Sequence, residues 1–166
     1  MKIILEGCEG TGKTTLAKKL IERYGLDYVH ITNKDPNDYM FYKQTLRKED
    51  VIYDRHFIGE MIYPKVFSRK GNLDRNRLDK LFAFAEAQGA CVLILTADIE
   101  EIKKRVAERG KYKPDFILRK LPQINEIFCR IGSENSCRGN VFTIDTSKTP
   151  FEEICKEIER CKPQNR

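Results

Sequence analysis

An α/β domain, with helices packed on both faces of a parallel sheet, is the fold class the sequence predicts on three observations. Five short runs, Lys2–Glu6, Tyr28–Thr32, Val51–Tyr53, Cys91–Leu95 and Val141–Ile144, are apolar, β-branched or aromatic. Longer stretches between them carry apolar residues at helical spacing, the alternation that joins parallel strands through crossovers. Finally, Cys91–Leu95 is apolar throughout, as a strand covered on both faces has to be.

The first run leads straight into Gly7-Cys8-Glu9-Gly10-Thr11-Gly12-Lys13-Thr14, which fits the pattern G-x-x-x-x-G-K-[ST]. Chemistry explains the spacing. Glycines let the backbone N–H groups turn inward, and a helix begins where they point, so the loop makes a cavity for phosphate. Gly7, Glu9, Gly10, Thr11, Gly12, Lys13, Thr14 and Thr15 are expected to bind a nucleotide, with Lys13 reaching the β- and γ-phosphates and the Thr14 hydroxyl holding Mg²⁺.

The helix that follows carries Leu16, Ala17, Leu20, Ile21 and Tyr24 on one face and ends near Gly25. Next come the strand Tyr28–Thr32, where His30 is expected to be a packed or surface residue rather than a catalytic one, a turn over Asn33–Asp38, and a helix from Tyr39 to Arg47. Asn33-Lys34-Asp35 does not complete the guanine-reading N-K-x-D, because its fourth residue is Pro36. Val51–Tyr53 ends in Asp54-Arg55-His56, at the sheet edge where ligands of parallel α/β proteins bind. Asp54 there can hold a metal or accept a hydroxyl proton, and Arg55 can bridge phosphates.

Phe57 to Phe67 is apolar, with Glu60 and Tyr63 on one face if helical, and Arg69–Asn72 breaks it. Asn76–Gln88 is an amphipathic helix that puts Phe82 and Phe84 in the core. Asp98 caps a helix with Ile99, Ile102 and Val106 inward and with Arg105 and Arg109 one turn apart. The basic stretch through Gly110 to Lys113 has the makings of a lid, over about residues 105–118, that closes on phosphates. Ile117 to Ile131 continues as a helix bent at Pro122, and Gly132–Gly139 is a polar loop. Val141–Ile144, the loop Asp145–Lys148 and a closing helix on Phe151, Ile154, Cys155 and Ile158 complete the domain, with a frayed tail from Lys162.

Composition narrows the partners. The chain has 166 residues and a net charge of +6, from 31 Lys and Arg against 25 Asp and Glu, which suits an anionic ligand, nucleotide or polynucleotide. No apolar run has the length of a membrane span, and no leader precedes the first strand, so a cytoplasmic protein without membrane contact is expected. Six cysteines without C-x-x-C spacing read as free thiols rather than as disulfides or a zinc site.

With these residues placed, the chain resembles the thymidylate kinase and deoxynucleoside kinase group of P-loop kinases. Leu5 to Thr15 is similar to that group's E-G-x-D-G-x-G-K-[ST]-T loop, Asp54-Arg55 to its D-R pair, and Asp145-Thr146-Ser147 to its late D-[AT]-[ST] loop near adenine. The resemblance implies a three-layer P-loop kinase fold with a five-stranded parallel sheet ordered 2-3-1-4-5, one domain over residues 1–166, and ATP with Mg²⁺ as cofactors. It further implies that Arg55, Arg105 and Arg109 act on the transferring phosphoryl, that Asp54 serves metal or acceptor, that Thr146 lies near the adenine, and that Asp35-Pro36 stands where the group has Glu-Pro beside the acceptor.

Asp35 is shorter than that Glu, and the segment from Pro36 to Asp54 is short for the acceptor helices. Phe57, Glu60 and Tyr63 are the remaining candidates for the acceptor. The expected reaction is phosphoryl transfer to a nucleoside monophosphate, dTMP first, with a deoxynucleoside as the alternative and Asp35 or Asp54 then the base. A kinase acting on DNA and a nucleotide-binding switch are the further alternatives, and a homodimer is expected from the group.

Overall fold

Five parallel strands order the chain in the computed structural model, which describes residues 1–108, 110 and 114–161. The strands are β1 (Lys2–Glu6), β2 (Asp27–His30), β3 (Val51–Asp54), β4 (Ala90–Thr96) and β5 (Val141–Asp145). Between and after them run α1 (Lys13–Tyr24), α2 (Tyr39–Thr45), α3 (Phe57–Val66), α4 (Arg75–Ala87), α5 (Ile99–Glu108), α6 (Pro114–Glu134) and α7 (Phe151–Arg160). The sheet order is β2-β3-β1-β4-β5, as the resemblance implies.

β1 therefore lies at the centre, with Leu5 beside Asp54 of β3 and Glu6 beside Ile94 of β4. Its alternating side chains feed two cores. Ile4 faces Tyr42, Phe57, Phe82 and Phe128 from the helices of one layer, while Ile3 and Leu5 face Leu16 and Leu20 of α1 and Ile154 and Ile158 of α7. Burial on both faces is why these strands read as continuous apolar runs. Among the described residues, no helix is long and apolar enough to cross a membrane.

Three differences from expectation have local causes. β2 stops at His30, because the Asp35 carboxylate accepts hydrogen bonds from Thr32 N at 2.7 Å and Thr32 Oγ1 at 3.0 Å and folds the chain into a turn. α4 begins at Arg75, since Asp74 accepts from Arg77 N and caps it. Pro122 sits inside α6 without ending it, and α6 runs on to Glu134, so Gly132 is helical instead of opening a loop. A Cβ at Gly132 would collide with Thr143 Oγ1, so the glycine lets α6 lie against β5. The expected frayed tail, residues 162–166, lies outside the described residues.

Alanine is favoured over glycine in a helix by about 1 kcal/mol, yet overpacking costs about 1–3 kcal/mol. Gly132→Ala should therefore lower stability in urea melts, while the same change in a Thr143→Ala background should raise it. Equal effects in both backgrounds would contradict the close approach.

Candidate active site

The loop after β1 turns on glycine geometry. Gly7 has φ 139° and Gly10 φ 83°; a Cβ on Gly7 would strike the Leu95 carbonyl, and one on Gly10 would come within 2.8 Å of Ile102 O. Thr11 Oγ1 donates to Cys8 O at 2.9 Å and Arg105 Nη1 to Gly10 O at 3.2 Å, which fixes the loop from both sides. Lys13 Nζ donates to Gly7 O at 2.8 Å and Cys8 O at 2.7 Å. Burial and the Arg55 charge hold the lysine pKa below its usual value. α1 starts at Lys13, so its first N–H groups are open toward ligand.

Asp54 closes β3 with its carboxylate buried beside the loop. Its Oδ2 accepts from Thr14 Oγ1 at 2.7 Å and Tyr28 OH at 2.9 Å, with His30 Nδ1 3.6 Å away, while Oδ1 is buried with no hydrogen-bond partner among the described residues. Arg55 follows at φ 76°, a left-handed conformation that costs a non-glycine residue about 1–3 kcal/mol. Its N–H donates to Leu5 O at 2.9 Å, and its guanidinium meets Glu9 Oε1 at 3.3 Å, while Glu9 Oε2 accepts from Tyr63 OH at 2.9 Å.

Three cavities meet around this loop. One of about 530 Å³ is lined by Lys13, Thr14, Asp54 and Arg55. A second, of about 330 Å³, extends along α1 past Thr15 to Arg105, Thr146 and Phe151. Thr146 Oγ1 lies 3.0 Å from Thr11 O and 3.1 Å from Thr96 O. The third, of about 530 Å³, opens on the other side of Arg55 and is walled by Glu6, Glu9, Glu60, Tyr63 and Phe67.

The expected loop residues other than the buried Thr11, with Asp54, Arg55, Arg105, Thr146, Glu60 and Tyr63, are thus gathered around connected space, whereas two further expected site residues are not. Phe57 is wholly buried, with its ring against Tyr42, His56 and Phe82, so it belongs to the core. Asp35 spends its carboxylate on Thr32 and does not line the third cavity. Arg109 and the middle of the expected lid lie outside the described residues. His30, expected as a packed or surface histidine, is exposed, and it lines both the first and third cavities.

Glu6 is the residue that sequence reasoning missed. It is buried at the end of β1, and its Oε1 accepts from His56 N at 3.1 Å, Ile58 N at 2.7 Å and Gly59 N at 3.4 Å, the N-terminus of α3. Burial pushes its carboxyl up to about 7, against the lowering effect of those N–H groups and of Lys13. The signals in the sequence are a carboxylate ending an apolar run and its place as the first residue of the E-G-x-D-G-x-G-K-[ST]-T resemblance. Behind it His56 is buried and pushed down to about 3, with Nε2 2.9 Å from Thr45 Oγ1.

The two groups pull stability in opposite directions with pH. Glu6, raised from 4.5 to about 7, binds more protons folded than unfolded, so its contribution is lost as pH rises through that window. His56, lowered from 6.5 to about 3, contributes above 6.5 and loses it as pH falls. Glu6→Gln should therefore unmask a stability that climbs with pH between about 4.5 and 6.5, and gain about 3 kcal/mol on the wild type between pH 4.5 and 7. Parallel pH curves for the two proteins in chemical denaturation would contradict the buried, protonatable Glu6.

Known proteins agree with this frame. The "Putative adenylate kinase" of Methanocaldococcus jannaschii is 25% identical over 158 residues, spanning 95% of this chain and 84% of that protein. The YorR protein of Bacillus subtilis, solved in complex with phosphorylated GDP, matches with a TM-score of 0.78 at 25% identity, over 96% of this chain and 94% of its own. A deoxyadenosine kinase from M. mycoides with bound dCTP shares the fold at a TM-score of 0.65 and 17% identity, over 96% of this chain and 99% of its own. Residues 3–128 match the family described as AAA domain, AAA_33. That match runs from β1 through the loop, Asp54 and Arg55 into α6, and the chain accordingly belongs to the AAA_33 family of P-loop kinases.

Proposed function

We propose that this phosphotransferase moves the γ-phosphoryl of ATP to a hydroxyl group of a nucleoside, and the observation that carries the reading is Glu6 in the third cavity. Three carboxylates, Glu6, Glu9 and Glu60, line that cavity against two guanidinium groups, Arg55 and Arg69. A nucleoside is neutral, and its hydroxyl needs a base, which a monophosphate does not. The carboxyl of Glu6, placed where a hydroxyl acceptor needs a base, therefore ranks a nucleoside ahead of dTMP, reversing the order expected from sequence. Tyr63 and Phe67, whose ring planes lie 3° apart at 6.2 Å, form a flat apolar wall suited to a heterocyclic base.

In this reading Lys13, Arg55 and Arg105 hold the triphosphate and spread the transition-state charge, while the cavity walls set the acceptor in line. The hydroxyl oxygen forms the new bond to the γ-phosphorus as its proton passes to Glu6 Oε2. The bond to the β-phosphate oxygen breaks, and ADP leaves with the electron pair. A carboxyl that titrates at about 7 is matched to this work near neutral pH.

Thr14 Oγ1 and Asp54 are a fitting pair for Mg²⁺, since Asp54 Oδ1 is buried with no hydrogen-bond partner among the described residues. Mg²⁺ bound there offsets the charge on the β- and γ-phosphates. The reading takes residues 1–166 as one domain, with the basic segment near 105–118 as its lid, and its need for ATP fits a cytoplasmic enzyme.

The test is a transfer assay with ATP and Mg²⁺ against deoxynucleosides, their monophosphates and a short DNA, with Lys13→Ala as the blank. Label should appear on nucleosides, and Glu6→Gln should lower kcat by about 10²–10⁴-fold with KM within a few-fold. Transfer to dTMP alone, with Glu6→Gln still active, would replace the nucleoside by a monophosphate, and label in DNA alone would replace it by a polymer.

A further inference from the structure

Beyond Thr15, the second cavity follows one face of α1 to Lys19, a full turn further on, and Phe151 at the start of α7 closes it opposite. Lys19 Nζ stands 5.6 Å from the centre of the Phe151 ring. The space is shaped for a flat base at the far end of a triphosphate held by Lys13, the aromatic face giving area and the ammonium giving a directed hydrogen bond. Its polar lining decides which base fits.

Among the described residues the lining supplies two cations, Lys19 and Arg105, and three hydroxyl groups, Thr15, Thr146 and Thr149, but no carboxylate. The nearby Asp145 is turned away, its carboxylate accepting from Ser147 N and lying 3.5 Å from Lys148 Nζ. Hydroxyls can donate or accept, so they suit the amino group of adenine and the edge of guanine alike. A lysine can only donate. Its natural partner on a purine is the carbonyl oxygen of guanine, which adenine lacks.

We infer that Lys19 is a base-reading residue of the phosphoryl-donor site, and that this site takes GTP as well as ATP. The inference rests on the proposed reading of the second cavity as the place of the triphosphate's base, but it is independent of the acceptor. The adenine end relies on hydroxyls and the Phe151 face, and the guanine end adds the Lys19 contact.

Equilibrium binding of Mg-ATP and Mg-GTP to the full chain, with no acceptor present, separates this inference from the acceptor assignment. Wild-type protein should bind GTP within about tenfold of ATP, Lys19→Met should weaken GTP relative to ATP by about tenfold, and Lys19→Arg should keep the wild-type ratio. GTP bound more than tenfold weaker than ATP by the wild type would overturn it, as would a Lys19→Met variant whose ratio is unchanged. Binding of neither nucleotide would overturn it together with the kinase reading. A variant that fails to fold is recognised by its melting curve, and the wild-type ratio then decides alone.

Discussion

Everything around the site is referred to the contact between the Glu6 carboxylate and the N-terminus of α3. β1 lies at the middle of the sheet, and its last residue takes three backbone N–H groups from His56, Ile58 and Gly59 on one oxygen. The same strand end launches the phosphate loop through Gly7 and sits in register with Asp54, while Leu5 O holds the Arg55 N–H. Loop, Asp54 carboxylate, strained Arg55 and α3 are thus fixed to one point. Both cavities on either side of Arg55 inherit their geometry from it.

The charged groups divide along the same line. On the proposed reading Lys13 and Arg105 stand on the donor side with Asp54, Glu6 and Glu60 stand on the acceptor side with Arg69, and the pair Arg55–Glu9 at 3.3 Å, which lines both, is the boundary. On that reading a transferring phosphoryl moves toward Glu6, which suits an acceptor that is neutral until it loses its proton. Burial makes this possible. A fully ionised Glu6 inside the sheet would be costly, and its rise to about 7 leaves it able to hold or release a proton near neutrality.

The phosphate loop and all five strands were legible because their signals are local: fixed glycine spacing, a lysine and threonine at set positions, and apolar runs between helical periods. Strand order came with the resemblance rather than with any pattern of spacing. What sequence could not give were contacts across the chain. Glu6 looks like the end of a strand until α3, some 50 residues on, is seen to lie on it. Phe57 and Phe67 are alike in sequence, and only the way α3 packs puts the first in the core and the second in the cavity wall. Asp35 was named for its neighbour Pro36, but its short side chain reaches Thr32 first. Gly132 looked like a loop residue because the strand it lies against is not visible from its own segment.

The central claim is that a carboxyl at the end of β1 changes its protonation near neutral pH while walling the cavity proposed for the acceptor. Carboxyl-carbon NMR of the full chain labelled at glutamate, with Glu6 assigned by comparison with Glu6→Gln, measures that titration directly. A midpoint near 7 is what the account predicts; a midpoint at the ordinary glutamate value near 4.5 would contradict it.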